Sequence, residues 1–184
     1  MIAGTLRSRL LKTLQGSATR PTSDRLRKTL FDLLQPRSMG SRFLDCFAGS
    51  GSVGIEAISR GAESVAFIES ARRACQILRQ NLESLDLGPS GQWRVIESTV
   101  QSGLKILQQA GLKFDIVFLD PPYASASEYP IVLAALQQNG ILDDEALIIA
   151  EHSKHVKVPP AIDDLTRTRQ VRQGDSVLSI YRLA

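Results

Sequence analysis

The chain has 184 residues, 43% of them hydrophobic and 22% charged, with two cysteines and a formal net charge of +3. That size suits one well-cored domain with at most a small appendage. Two cysteines exclude a disulfide framework or a cysteine-rich metal site, and no apolar stretch approaches the roughly 18 residues of a membrane-spanning helix.

The charge is unevenly spread. Residues 1–42 carry nine Lys or Arg against two acids, a net of +7, whereas residues 43–184 carry thirteen against seventeen, a net of −4. A basic arm on a mildly acidic body predicts a polyanionic partner met through the N-terminal part; the plainer alternative is a solvated surface segment. The opening MIAGTLRSRLLKTLQG lacks the apolar core of a signal peptide, so a soluble, cytoplasmic protein is expected, with Cys46 and Cys75 as small core residues in a reducing compartment.

In chain order, the first helix is predicted within SDRLRKTLFDLLQP. Leu26, Leu30, Leu33 and Leu34 recur at helical spacing, Ser23 or Asp24 can cap the free amides, and Pro36 stops the run. Arg25 and Lys28 then fall on a face away from the leucines. A regular alternation follows: strand RFLDCF, a helix from Ser52 to about Arg60, strand SVAFIE, helix ARRACQILRQNLESL, strand QWRVIE, helix VQSGLKILQQA, strand FDIVFLD, helix EYPIVLAALQQ and strand ALIIAE. Strands separated by helices of about ten residues imply right-handed crossovers and a parallel sheet covered on both faces. RTRQVRQGDSVLSIYRL breaks the pattern with two strand-like runs around Gln173, Gly174 and Asp175, a hairpin closing the sheet antiparallel.

Two junctions carry chemistry. In LDCFAGSGSVGIEA, Gly49, Gly51 and Gly54 have the G-x-G-x-x-G spacing of a site for an adenosine-containing cofactor, and Glu69 ends the next strand, where a ribose-binding acid belongs. Asp45 discriminates among such cofactors. A carboxylate four residues before the first glycine repels a pyrophosphate but attracts the ammonium and sulfonium of S-adenosylmethionine. Its plainer role is to cap the turn through loop amides.

The second junction is FDIVFLDPPYASAS. An apolar, unalternating strand runs into Pro121 and Pro122, which leaves Asp120 and Tyr123 at the carboxyl end of a core strand, where open α/β sheets place ligands. An exocyclic amine on a nucleobase is a poor nucleophile because its lone pair is delocalised. Acceptance of both amino hydrogens by the Asp120 carboxylate and the Pro121 carbonyl would direct the lone pair at a sulfonium methyl, with Tyr123 stacking on a base turned out of its helix.

Together these motifs resemble the class I S-adenosylmethionine-dependent methyltransferases acting on amino nitrogens. More narrowly, RPTSDRLRKTLFDLL, FLDCFAGSGSVGIEAISRGA, LDPPY and QGDSVLSIY, in that order, resemble the bacterial 16S ribosomal RNA guanine-N2 methyltransferase family over nearly the whole chain. The resemblance implies a Rossmann-like α/β fold with a seven-stranded sheet of order 3-2-1-4-5-7-6. Residues 1–40 would form a basic arm and helix, and residues 41–184 the methyltransferase domain. It further implies that Asp45, Phe47, Ala48, Gly49, Ser50 and Gly51 hold the methionine part of the cofactor, Glu69 the ribose, and Thr99 and Val100 the adenine region. Asp120, Pro121, Pro122 and Tyr123 would hold the target guanine, and Arg7, Arg9, Lys12, Arg20, Thr22, Arg25 and Lys28 the RNA. Two positions depart from the family pattern: Thr99 stands where an acid or Asn is common, and Lys28 where Glu is common.

The implied partner is ribosomal RNA or a small-subunit assembly particle, met by a monomer with no metal. The rivals are an N6-adenine methyltransferase, a nicotinamide-dependent oxidoreductase and a non-catalytic RNA-binding module. EHSKH, from Glu151 to His155, is expected to be surface polarity without a third cluster to complete a metal site.

Overall fold

The computed structural model describes residues 1–13, 23–85, 92–122 and 127–184; the expectations for Arg20, Thr22 and Tyr123 lie outside these residues. The predicted alternation is present. Five helices, α1 (Asp24–Leu34), α2 (Ser52–Ser59), α3 (Arg72–Ser84), α4 (Val100–Gln109) and α5 (Glu128–Gln138), punctuate the strands β1 (Arg42–Cys46), β2 (Ser64–Glu69), β3 (Trp93–Glu97), β4 (Phe114–Leu119) and β5 (Leu142–Ser153). Strands β6 (Ala161–Ile162), β7 (Leu165–Gln173) and β8 (Ser176–Leu183) follow. Among the described residues no helix is long and apolar enough to cross a membrane.

The sheet has eight strands in the order β3-β2-β1-β4-β5-β8-β7-β6 rather than the seven expected. The added strand is a two-residue edge piece pairing Ala161 and Ile162 with Thr166 and Leu165, too short to leave any periodicity in a sequence. Without it the order is the expected one, with β8 inserted antiparallel between β5 and β7.

Strand β5 starts at Leu142, four residues before the predicted start. Phe114 pairs with Leu142 but Ile116 pairs with Leu147, so Asp143 to Ala146 bulge out of the ladder. Arg42 holds the bulge, its Nη2 donating to Asp143 (2.7 Å) and Asp115 (2.6 Å). A run such as LDDE loses the alternation by which a strand is recognised, and a cross-strand ion cluster carries it instead.

Each sheet face has its own core. Leu26, Leu30, Phe31 and Leu34 of α1 join Ile55 of α2 and Leu78 and Leu82 of α3 over one face, while Leu104 and Leu107 of α4 and Val132, Leu133 and Leu136 of α5 cover the other. Ser23 caps α1 by accepting from the Leu26 amide (3.2 Å). The four buried apolar side chains of α1 are worth about 1.5–3 kcal/mol each, which makes the helix integral to the sheet's core.

Residues 1–13 lie across α2 and α3, and buried polar side chains hold their backbone. Glu56 is fully buried and accepts from the Ile2 and Ala3 amides at 2.8 and 3.0 Å and from Arg60 Nε at 2.8 Å. Ser59 Oγ accepts from the Leu6 amide (2.9 Å) and donates to the Ala3 carbonyl (2.6 Å). Asn81, also buried, accepts from the Lys12 amide through Oδ1 (2.9 Å), while its Nδ2 donates to the Lys12 and Ser50 carbonyls, each at 3.0 Å.

Candidate active site

The carboxyl ends of β1, β2 and β4 are brought level by the parallel register, which aligns Asp45 with Phe67 and Phe118. Neighbouring strands lie about 4.8 Å apart, so the residues that leave these strands face one crevice at the reversal of strand order between β1 and β4. Asp45, Glu69 and Asp120 all belong to that edge.

The first junction is built around three glycines with different duties. Gly51 caps α2 at φ +85°, a left-handed conformation, and a Cβ there would meet Leu78 Cδ1 at 2.2 Å. Gly54 has ordinary dihedrals but no room: a Cβ would stand 2.2 Å from Phe67 Cε1, so α2 can lie on β2 only if this position is bare. Gly49 instead donates its amide to Glu69 Oε2 (2.8 Å), while the other Glu69 oxygen accepts from the Ala71 amide (2.7 Å). Glu69 thus shapes the loop, and each of its oxygens keeps a second lone pair for a hydroxyl.

Asp45 is buried, and its Oδ2 accepts from the Gly54 amide (2.8 Å) in the first turn of α2. The loop-capping role considered from the sequence is therefore present. Burial pushes this carboxyl up to about 8; the Gly54 amide opposes the shift, and the charges of Asp120 and Glu69 add to it. Three carboxylates converge on the glycine loop and raise the cost of ionising the innermost one. A cation in the crevice relieves that cost, whereas a pyrophosphate increases it. The residues present therefore fit an ammonium- and sulfonium-bearing group.

Other expected site residues are placed as follows. Phe47, at φ +63°, packs against the α4/α5 core, and Ala48 donates its amide to the Ile68 carbonyl (3.0 Å), turning the loop back over β2. Ser50 is bound through its carbonyl to Asn81. Thr99 caps α4, its Oγ1 accepting from the Ser102 amide (3.3 Å), and Val100 is buried in the core behind it. Pro121 is buried and Pro122 exposed at the end of β4. Arg7, Arg9, Arg25 and Lys28 are exposed; Lys28 pairs with Asp32 (2.7 Å), and Lys12 Nζ donates to Gln80 (3.1 Å). Cys46 and Cys75 are buried, and burial pushes both thiols up, away from a nucleophilic thiolate.

The expectation that EHSKH is surface polarity fails for two of its residues. Glu151 and His152 are buried in β5, at 5% and 4% exposure. His152 Nδ1 donates to the Ser153 carbonyl (2.9 Å), and its Nε2 accepts from Ser179 (2.8 Å), which also receives Gln170 Nε2 (3.0 Å). Burial holds the imidazole below its ordinary value, so it is a neutral member of this chain. The predicted strand ALIIAE already reached Glu151, and β5 continues unbroken to Ser153. Among the described residues no group of three His, Cys, Asp or Glu is placed to hold a metal ion.

Residues 1–182 match the family described as Conserved hypothetical protein 95. Among curated relatives, ribosomal RNA small subunit methyltransferase D of Escherichia coli K12 is 38% identical over 183 residues, covering 99% of this chain and 88% of the relative. The enzyme of the same name from Haemophilus influenzae is 43% identical over 157 residues, covering 84% and 78%. The solved Escherichia coli structure described as "putative methyltransferase yhhF" superposes with a TM-score of 0.85 at 37% identity, covering 100% of this chain and 96% of that one. The family resemblance carried by the sequence motifs is borne out: the chain has the α/β methyltransferase fold and belongs to the Conserved hypothetical protein 95 family.

Proposed function

We propose that the protein transfers a methyl group from S-adenosylmethionine to the exocyclic N2 amine of a guanine in small-subunit ribosomal RNA. The observation that carries the reading is the convergence of Asp45, Glu69 and Asp120 on a glycine loop of the α/β methyltransferase fold. That loop suits a cationic cofactor and disfavours the pyrophosphate of a nicotinamide dinucleotide. The names of the relatives support the substrate class.

S-adenosylmethionine supplies an electrophilic methyl on a sulfonium. Asp45, ionised beside the cofactor's charge, and the carbonyls and amides of residues 47–51 hold its methionine part. Glu69 accepts from the ribose, and Thr99 and Val100 border the adenine. The Asp120 carboxylate and Pro121 carbonyl accept the two amino hydrogens of the guanine, fixing its lone pair and stabilising the positive charge that grows on nitrogen. The new N–C bond forms as the S–C bond breaks, sulfur keeps that electron pair as a neutral thioether, and one amine proton leaves to water. With both thiols buried and pushed away from the thiolate, neither cysteine is set to form a covalent intermediate.

The test is transfer of labelled methyl to small-subunit ribosomal RNA, free or in a partly assembled subunit from cells lacking the protein, followed by nucleoside analysis. Label in N2-methylguanosine is expected, and Asp120→Ala should lower the rate at least ~100-fold while leaving cofactor binding within a few-fold. Label in N6-methyladenosine would overturn the choice of base, and no label with the cofactor bound would overturn the choice of substrate.

A further inference from the structure

A cleft lined by basic side chains lies on the other side of β5 from the glycine loop. It is an open cleft of about 600 Å³ between the 154–160 segment and the hairpin β7/β8. Lys154, Lys157, Arg167 and Arg172 line it, no carboxylate does, and His152 and Gln170 contribute to its polar floor. Arg167 is anchored on the Val158 carbonyl (3.2 Å), and Lys154 pairs with Asp175 at the rim (2.7 Å). Lys157 and Arg172 are exposed.

A strand defect assembles this set. Strict alternation along β7 would place Arg167, Arg169 and Val171 on one face. The register slips between Arg167 and Arg169, so that Arg167, Gln170 and Arg172 stand opposite Tyr181, Ser179 and Val177, all on the cleft side. The Gln170–Ser179–His152 chain then gives the floor fixed acceptors and donors, with a neutral imidazole that adds no charge.

The cleft adjoins the catalytic edge. Leu119 pairs with Ala150, which sets Asp120 level with Glu151, one residue from His152, and Pro130 near the start of α5 forms part of the cleft wall. The cations of the cleft therefore follow the carboxyl end of β5, the strand next to the one that ends at Asp120.

We infer that this cleft binds the RNA phosphate backbone beside the target base, so that the substrate is gripped from the C-terminal hairpin as well as from the arm. The inference rests on the proposed RNA substrate.

The test uses the full chain with Lys157→Ala and Arg172→Ala combined, against a control combining Lys105→Ala and Lys113→Ala, two exposed lysines that do not line the cleft. Binding to 16S ribosomal RNA is measured as a function of salt, alongside cofactor affinity and methyl transfer. The cleft variant should bind RNA about tenfold more weakly near physiological salt. Its log–log salt slope should be shallower by about 1.5, with cofactor affinity and melting temperature unchanged. The charge-preserving pair Lys157→Arg and Arg172→Lys should restore most of the loss. A cleft variant that matches the control in affinity and slope overturns the inference. Wild-type protein that methylates RNA normally while the cleft variant is unaffected overturns the cleft alone. Wild-type protein that binds RNA through the cleft but transfers no methyl overturns the proposed activity and leaves the cleft standing.

Discussion

The N-terminal arm and the C-terminal hairpin are both basic, but they are basic in different ways. The arm's charge is obvious in the linear count, yet its backbone is committed: Glu56, Ser59 and Asn81 hold residues 2–12 against α2 and α3, leaving Arg7 and Arg9 as exposed side chains on a tethered ribbon. The hairpin region is hidden in that count. Residues 154–172 carry five Lys or Arg against two Asp, a net of +3, inside a segment whose total is acidic. Its cations gather on one face because a bulge selects which of them point the same way. Net charge per segment reports how a chain is written, and only the pleat reports where a polyanion would feel it.

The sharpest way to break the comparison is to release the arm. Glu56→Ala removes the acceptor of two amides and strands Arg60, itself nearly buried, so stability should fall by about 3 kcal/mol, read by denaturant unfolding, and the Ile2 and Ala3 amides should lose hydrogen-exchange protection. The hairpin should not open locally: Gln170 and Tyr181 amides lose no more protection than the drop in global stability accounts for. Next in size is Asn81→Ala, which leaves Lys12 and Ser50 backbone groups without their partner. A loss of about 2 kcal/mol is expected, together with weaker cofactor binding, because Ser50 belongs to the glycine loop. Calorimetric titration with S-adenosylmethionine checks it, and unchanged affinity would show that the arm and the loop are not coupled.

Between the two regions sits Asp45, which pH can address without disturbing either. Its ordinary value is 3.8 and the folded value about 8, so the folded protein keeps a proton there that the unfolded chain has released. The stability this contributes is complete below about 4 and is lost as pH rises through about 8; Asp45→Asn should flatten that stretch of the profile. A cationic ligand prefers the ionised carboxyl, so cofactor affinity of the wild type, compared with Asp45→Asn at each pH, should rise up to about pH 8 and then level off. The smallest effect is expected from Arg7→Ala with Arg9→Ala. The RNA salt slope should fall by about 1, adding to the cleft variant's loss if both surfaces grip one RNA.

Much of this was legible in advance. The five helices and the core strands follow from apolar spacing, Ser23 from capping chemistry, and the two junctions from glycine spacing and from prolines after an apolar run. What the sequence concealed involves partners far apart in the chain. The start of β5 depends on Arg42 reaching Asp143, a separation of 101 residues, and the burial of Glu151 and His152 depends on β8 closing over them. Asp45 illustrates the mixed case: its chemistry was readable, but its burial, and with it the shift to about 8, required α2 and the neighbouring carboxylates to be in place.

The position of β8 also bears on the order in which the molecule can assemble. Strand β7 is made before β8 yet has no place in the sheet until β8 has entered beside β5. The arm, earlier still, finds no anchor until Glu56 and Asn81 have been added. In a nascent chain the arm's anchors are complete with α3, before β4 and β5 are made, whereas the hairpin must wait for β8. The glycine loop and the basic arm thus share α2 and α3 and can settle together, well before the C-terminal basic surface exists.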